Sequence, residues 1–165
     1  PASHLKVIAY NRTVKDLNGL SHDEFLARAR EVFDVHPDGP EAPPAPGSIS
    51  MYLGGSWYRL AWTPDPEADP VSALDVSVLQ SRLLAPVLGI DDPRTNSRME
   101  YTGGFDSVER IKKKVDNGRA AVAFSVHATT VDQLMAIADA DQIMPPKSTW
   151  FEPKLRSGLF VHALD

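Results

Sequence analysis

The chain has 165 residues, which points to one domain able to bury about 70% of its unfolded surface. Hydrophobic residues make up 42% and charged residues 24%, which excludes wholesale disorder and fibrous repeats, and no apolar run approaches the ~20 residues of a membrane-spanning helix. A net charge of -5 argues against nucleic acid or an anionic membrane as partner, and the absence of cysteine removes disulfides, thiolate metal sites and thiol nucleophiles.

Residue 1 is Pro, and residues 5–10 already read as a strand. The expectation is therefore a single domain over 1–165 that is the C-terminal piece of a longer cytoplasmic protein, with no signal-peptide pattern. Ser21 and Glu24 form a capping box, each satisfying the other's orphan amide, and Phe25, Leu26, Ala29, Val32 and Phe33 follow at helical spacing. That helix must stop before Pro37, where a proline-rich connector runs to residue 47. The alternation of residues 48–53, the Gly54-Gly55 pair and the returning residues 57–62 predict a hairpin. Asp75 is placed to cap a helix that carries Val76, Leu79 and Leu83 and ends near Leu84, before Pro86 and Gly89.

The second half alternates in type. Residues 97–102 predict a strand, and residues 106–116 a helix closed by Asn117-Gly118, with Lys112, Lys113 and Lys114 on its solvated side. Residues 120–126 predict a buried strand. Thr130 and Gln133 form a second capping box opening a helix to about Ala140, and residues 159–164 predict a last strand. The order β-α-β-β-α-β-α-β-α-β, with a β-hairpin and about four helices, implies an α+β domain built on a mixed sheet.

The five histidines, His4, His22, His36, His127 and His162, lack ligand spacing such as HxH or HExxH, and Asp91, Asp92, Asp139 and Asp141 lack a calcium-loop pattern, so no metal site is expected. Two polar segments stand out. Residues 10–19 (YNRTVKDLNG) gather Asn11, Arg12, Lys15 and Asp16 directly after a strand, and Arg12 offers a planar fork for carboxylate or phosphate. Residues 144–154 (MPPKSTWFEPK) set Lys147, Ser148, Thr149 and Lys154 on a frame stiffened by three prolines, net positive within an acidic chain. Ammonium and hydroxyl groups on a stiff loop suit an anion, because little freedom is lost on binding. The Lys-Ser-Thr triplet lacks the glycines of a phosphate loop.

These segments also carry a resemblance. YNRTVKDLNGL from Tyr10, LDVSVLQSRLLAPVLGI from Leu74, DPRTNSRMEYTGG from Asp92 and MPPKSTWFEPKLRSG from Met144 resemble the C-terminal portion of the prokaryotic family catalogued as domain of unknown function 1015. Full-length members carry an N-terminal GHHR-type motif, absent from this chain. That motif is similar to one in the ParB/sulfiredoxin-like fold, which includes nucleotide-dependent free-serine kinases. The resemblance implies a phosphoryl-transfer site completed by a missing N-terminal domain and, in the intact protein, an adenine nucleotide with Mg. It supplies no catalytic residue in this chain.

Two readings follow. In one, Asn11, Arg12, Lys15, Asp16, Lys147, Ser148, Thr149 and Lys154 converge on an anionic small molecule. In the other, the same loops dock the protein's own N-terminal domain or form a homo-oligomer. Arg12 and Lys147 sharing a cleft favours the first, and opposite faces the second.

Overall fold

In the computed structural model, the described residues are 6–152. His4, Lys154, His162 and the strand expected at 159–164 lie outside them.

The α+β class, the hairpin and four helices are all present. The chain runs β1 (Lys6–Ala9), β2 (Asn11–Val14), α1 (His22–Val32), β3 (Asp34–Pro37), β4 (Ser48–Leu53), β5 (Ser56–Ala61), α2 (Asp75–Leu79), β6 (Met99–Thr102), α3 (Ser107–Asp116), β7 (Val122–Val126), α4 (Val131–Asp139) and β8 (Thr149–Glu152). Six strands form one sheet in the order β3-β5-β4-β7-β2-β6, and β1 pairs with β8 in a separate ribbon. Every pairing is antiparallel, and each helical crossover joins strands that are not neighbours in a sheet.

Local signals placed several elements closely. The α1 capping box is made in full, with the Ser21 amide donating to Glu24 at 2.8 Å and the Glu24 amide to Ser21 Oγ at 3.3 Å. Thr130 and Gln133 close the same device at α4. Gly54 (φ 58°) and Gly55 (φ 87°) supply the left-handed pair that a two-residue hairpin turn needs. The three lysines of α3 face outward and pair with Asp116, Glu109 and Glu100.

Three expectations are corrected. The single strand near the start is two strands that part at Tyr10, β1 joining the ribbon and β2 entering the large sheet between β6 and β7. Residues 149–152, read as part of a loop, form β8, because β1 offers them an open edge from Lys6 to Ala9. Asp75 does not cap its helix. It is the first helical residue, and its buried carboxylate accepts the Gly47 amide at 2.9 Å.

Pleating sends Ile49, Met51, Leu53, Val122, Phe124, Val126 and Val14 to one face, where α1 and α2 cover them with Phe25, Leu26, Ala29 and Leu79. Tyr52 and Ala123 point to the other face, against Ile111 of α3. Directly after α2 the chain makes a π-helical turn, Gln80–Leu84, in which the Ala85 amide donates to Gln80 O at 3.0 Å. Such turns widen a helix and often border functional sites.

Candidate functional site

Arg12 sits in the middle of a central strand, opposite Phe124 on β7 and Tyr101 on β6. Its guanidinium therefore projects on the main-core side, yet it opens onto a cleft of about 410 Å³. Arg12 and Tyr101 line it from the sheet, and Val76, Ser77 and Gln80 from α2 and the π-helical turn. The loop Asp91 to Arg94 and the pair Pro145-Pro146 complete the lining. The walls set three prolines, Val76 and the Tyr101 ring beside four charged side chains and the polar Ser77 and Gln80.

The electrostatics centre on Arg12. It is only 4% exposed. Its Nη1 donates to Tyr10 O at 2.7 Å and its Nη2 to Lys147 O at 3.3 Å, and the guanidinium lies 5.4 Å from the Tyr101 ring centroid. Among the described residues no carboxylate forms an ion pair with it. Burial pushes its pKa down to about 10, a shift that Tyr101 partly opposes, so it stays a cation at neutral pH. A buried charge held only by neutral carbonyls and a ring face is expensive, and an anion in the cleft would offset that expense.

The rest of the cleft is balanced differently. Arg94 grips Asp92 through Nε and Nη2, both at 2.9 Å, which holds the Asp92 carboxyl below its usual range and consumes the Arg94 charge. Asp91 is exposed at the rim. The Tyr101 hydroxyl donates to Pro93 O at 3.2 Å, and burial raises its pKa. Gln80 donates through Nε2 to Ile90 O at 2.6 Å, fixing the turn against the chain that leads into the Asp91 loop.

The two polar segments meet, but not with all their members. Arg12 and Lys147 are in contact. Lys147 has φ 56°, and its Nζ stands 5.5 Å from the Tyr10 ring centroid. Ser148 is buried beside them, donating from Oγ to Pro145 O at 2.6 Å and accepting Thr129 Oγ1 at 3.3 Å on its carbonyl. Thr149 is half-buried in β8, opposite Ala9. Asn11 turns to the other face of the sheet, where it donates to Ser107 Oγ at 3.0 Å and accepts the Val126 amide. Lys15 lines a separate groove with His22 and Gly118 and pairs with Glu100 at 3.9 Å. Asp16 is gripped by Arg98 at 2.6 Å, which lowers its pKa. The cleft residues that sequence reasoning did not single out are Val76, Ser77, Gln80, Pro93, Arg94 and Tyr101. Their only signal as site residues was that all six fall in the quoted family stretches.

The fold belongs to a recognisable class of solved structures. The chain is similar to a mutant free serine kinase in complex with AMP, at 16% identity and a TM-score of 0.54, covering 91% of this chain and 55% of that one. It is also similar to the free serine kinase in complex with AMP, at 15% identity, TM-score 0.54 and the same coverage. A conserved hypothetical protein from Pyrococcus furiosus matches at 14% identity and a TM-score of 0.56, over 90% of this chain and 56% of that one. At such identities the likeness is one of fold, and the chain spans little more than half the length of these structures. Residues 1–77 match the model of the family described as Protein of unknown function (DUF1015), in keeping with the resemblance read from the sequence. No curated protein matches the chain.

Proposed function

We propose that this domain binds the phosphate or other anionic group of a small metabolite or adenine nucleotide in the Arg12 cleft. In the intact protein the cleft would form part of a phosphoryl-transfer site completed by a preceding domain. The observation that carries this reading is Arg12 itself, a buried cation at a cleft wall with no carboxylate paired to it among the described residues. Its fork suits two oxygens of a phosphate, and its charge would offset the negative charge that builds up during transfer. The AMP-bound and ADP-bound neighbours support an adenine nucleotide as the ligand. Among the described residues no three metal-ligating side chains cluster. The base that accepts the substrate hydroxyl proton is assigned to the preceding domain.

A second reading, a docking module for the preceding domain or for a second subunit, draws on α4. That helix leaves Val131 64% and Met135 57% exposed, and Ile143 beyond it is 89% exposed.

Thermal unfolding of the full-length protein with AMP, ADP, phosphoserine and inorganic phosphate separates the two. Ligand at a hundred times its Kd should stabilise by ~2.7 kcal/mol. Arg12→Met should remove the stabilisation. No shift with any of the four ligands sinks the binding reading and leaves the docking one.

A further inference from the structure

We infer that Lys147 sets the charge of the ligand, so that the Arg12 cleft accepts a doubly charged phosphate in preference to a singly charged acid. This rests on the anion-binding reading above and adds to it a basis for selection.

The charge count in the cleft leads there. Its two lining cations are Arg12 and Arg94, and Arg94 is already spent on Asp92. Arg12 alone balances one negative charge. A dianion would leave a second charge uncompensated in a cleft whose other cation is paired, with the Asp91 carboxylate at the rim adding repulsion. A second cation is required, and Lys147 is placed to provide it. Its carbonyl already touches the Arg12 guanidinium, and its neighbour Pro146 lines the cleft. Its ammonium has no carboxylate partner among the described residues and rests over the Tyr10 ring, 5.5 Å from the centroid. A perch of that kind at an exposed position is weak and readily left.

The backbone adds to the case. Lys147 holds φ 56°, a conformation glycine adopts freely and a lysine does not. The turn is pinned by Ser148 Oγ on Pro145 O and by Thr129 Oγ1 on Ser148 O, so the strain persists. The bond from Arg12 Nη2 to Lys147 O is long, at 3.3 Å, and its acceptor is neutral. A phosphate oxygen makes a shorter, charge-assisted bond to the same nitrogen and displaces that carbonyl. With the turn still pinned, rotation about the bonds of the exposed Lys147 side chain can swing its ammonium from Tyr10 to the bound phosphate.

The test is calorimetric titration of full-length wild type, Lys147→Gln and Lys147→Arg with AMP and with its monoanionic O-methyl ester. These two ligands differ by one charge at the same phosphorus. Wild type should favour AMP by tenfold or more. Lys147→Gln should weaken AMP about tenfold, leave the ester within twofold of wild type and so erase the preference, and Lys147→Arg should restore it. Lys147 is exposed, so unliganded Tm should hold steady in both variants. Equal weakening of both ligands by Lys147→Gln, an undiminished preference, or no preference in wild type overturns the role of Lys147 while the anion site stands. Wild type that binds neither ligand overturns the role of Lys147, and the anion site falls with it when phosphoserine and inorganic phosphate also fail to bind.

Discussion

Replacing Asp75 with asparagine should make the protein more stable at neutral pH. The Asp75 side chain is 7% exposed at the start of α2 and accepts one hydrogen bond, from the Gly47 amide. Burial raises its pKa from 3.8 to about 6, against the lowering effects of the Gly47 bond and of His127. The folded protein therefore holds this proton more tightly than the unfolded chain. The native advantage is complete below pH ~4 and fades as pH rises through about 6, where the ionised carboxylate has to be kept buried. A shift of roughly two units at ~1.36 kcal/mol each makes ionised Asp75 unfavourable by ~3 kcal/mol. Asparagine keeps an acceptor for Gly47 and carries no charge. Asp75→Asn should thus gain up to ~3 kcal/mol at pH 7.5, with the gain shrinking toward zero near pH 3.5. Urea unfolding of both proteins across that range reads the difference directly, since the other carboxylates cancel between them. A variant less stable than wild type at pH 7.5, or a difference that ignores pH, would show that Gly47 and His127 more than repay the burial of the charge.

The remaining expectations concern the scaffold. Ser21→Ala opens the α1 capping box and should lower unfolding free energy by ~1 kcal/mol in urea; an unchanged midpoint would mean the α1 terminus is held by packing alone. Phe124→Ala empties a fully buried ring position opposite Arg12 and Met51 and should cost ~3–5 kcal/mol, measured the same way. Gly103→Ala sets a Cβ against the Trp150 ring, so Tm should fall and tryptophan emission should shift; a silent variant would mean the ribbon carrying Trp150 yields freely.

Much of the fold was legible because its causes are local. A capping box closes within four residues, and the β4–β5 hairpin declares itself through alternation on both sides of two glycines. The polar run of β2 was illegible for the opposite reason. Asn11, Arg12 and Thr13 carry no hydrophobic period, yet all are buried, because β6 and β7 close on either side of them. The π-helical turn after α2 left no mark in the spacing of Val76, Leu79 and Leu83, which suits an unbroken helix equally well.

The candidate site divides along the same line. Residue types alone marked the segments around Arg12 and Lys147 as suited to an anion, since a planar fork and a proline-stiffened lysine loop have that chemistry wherever they fall. Their meeting across 135 residues of chain, the diversion of Lys15 and Asp16 into ion pairs, and the turning of Asn11 to the far side of the sheet were decided by tertiary structure. The reason is that chemical capacity belongs to a side chain, whereas its burial, its charge partner and the face it points to are set by neighbours distant in sequence.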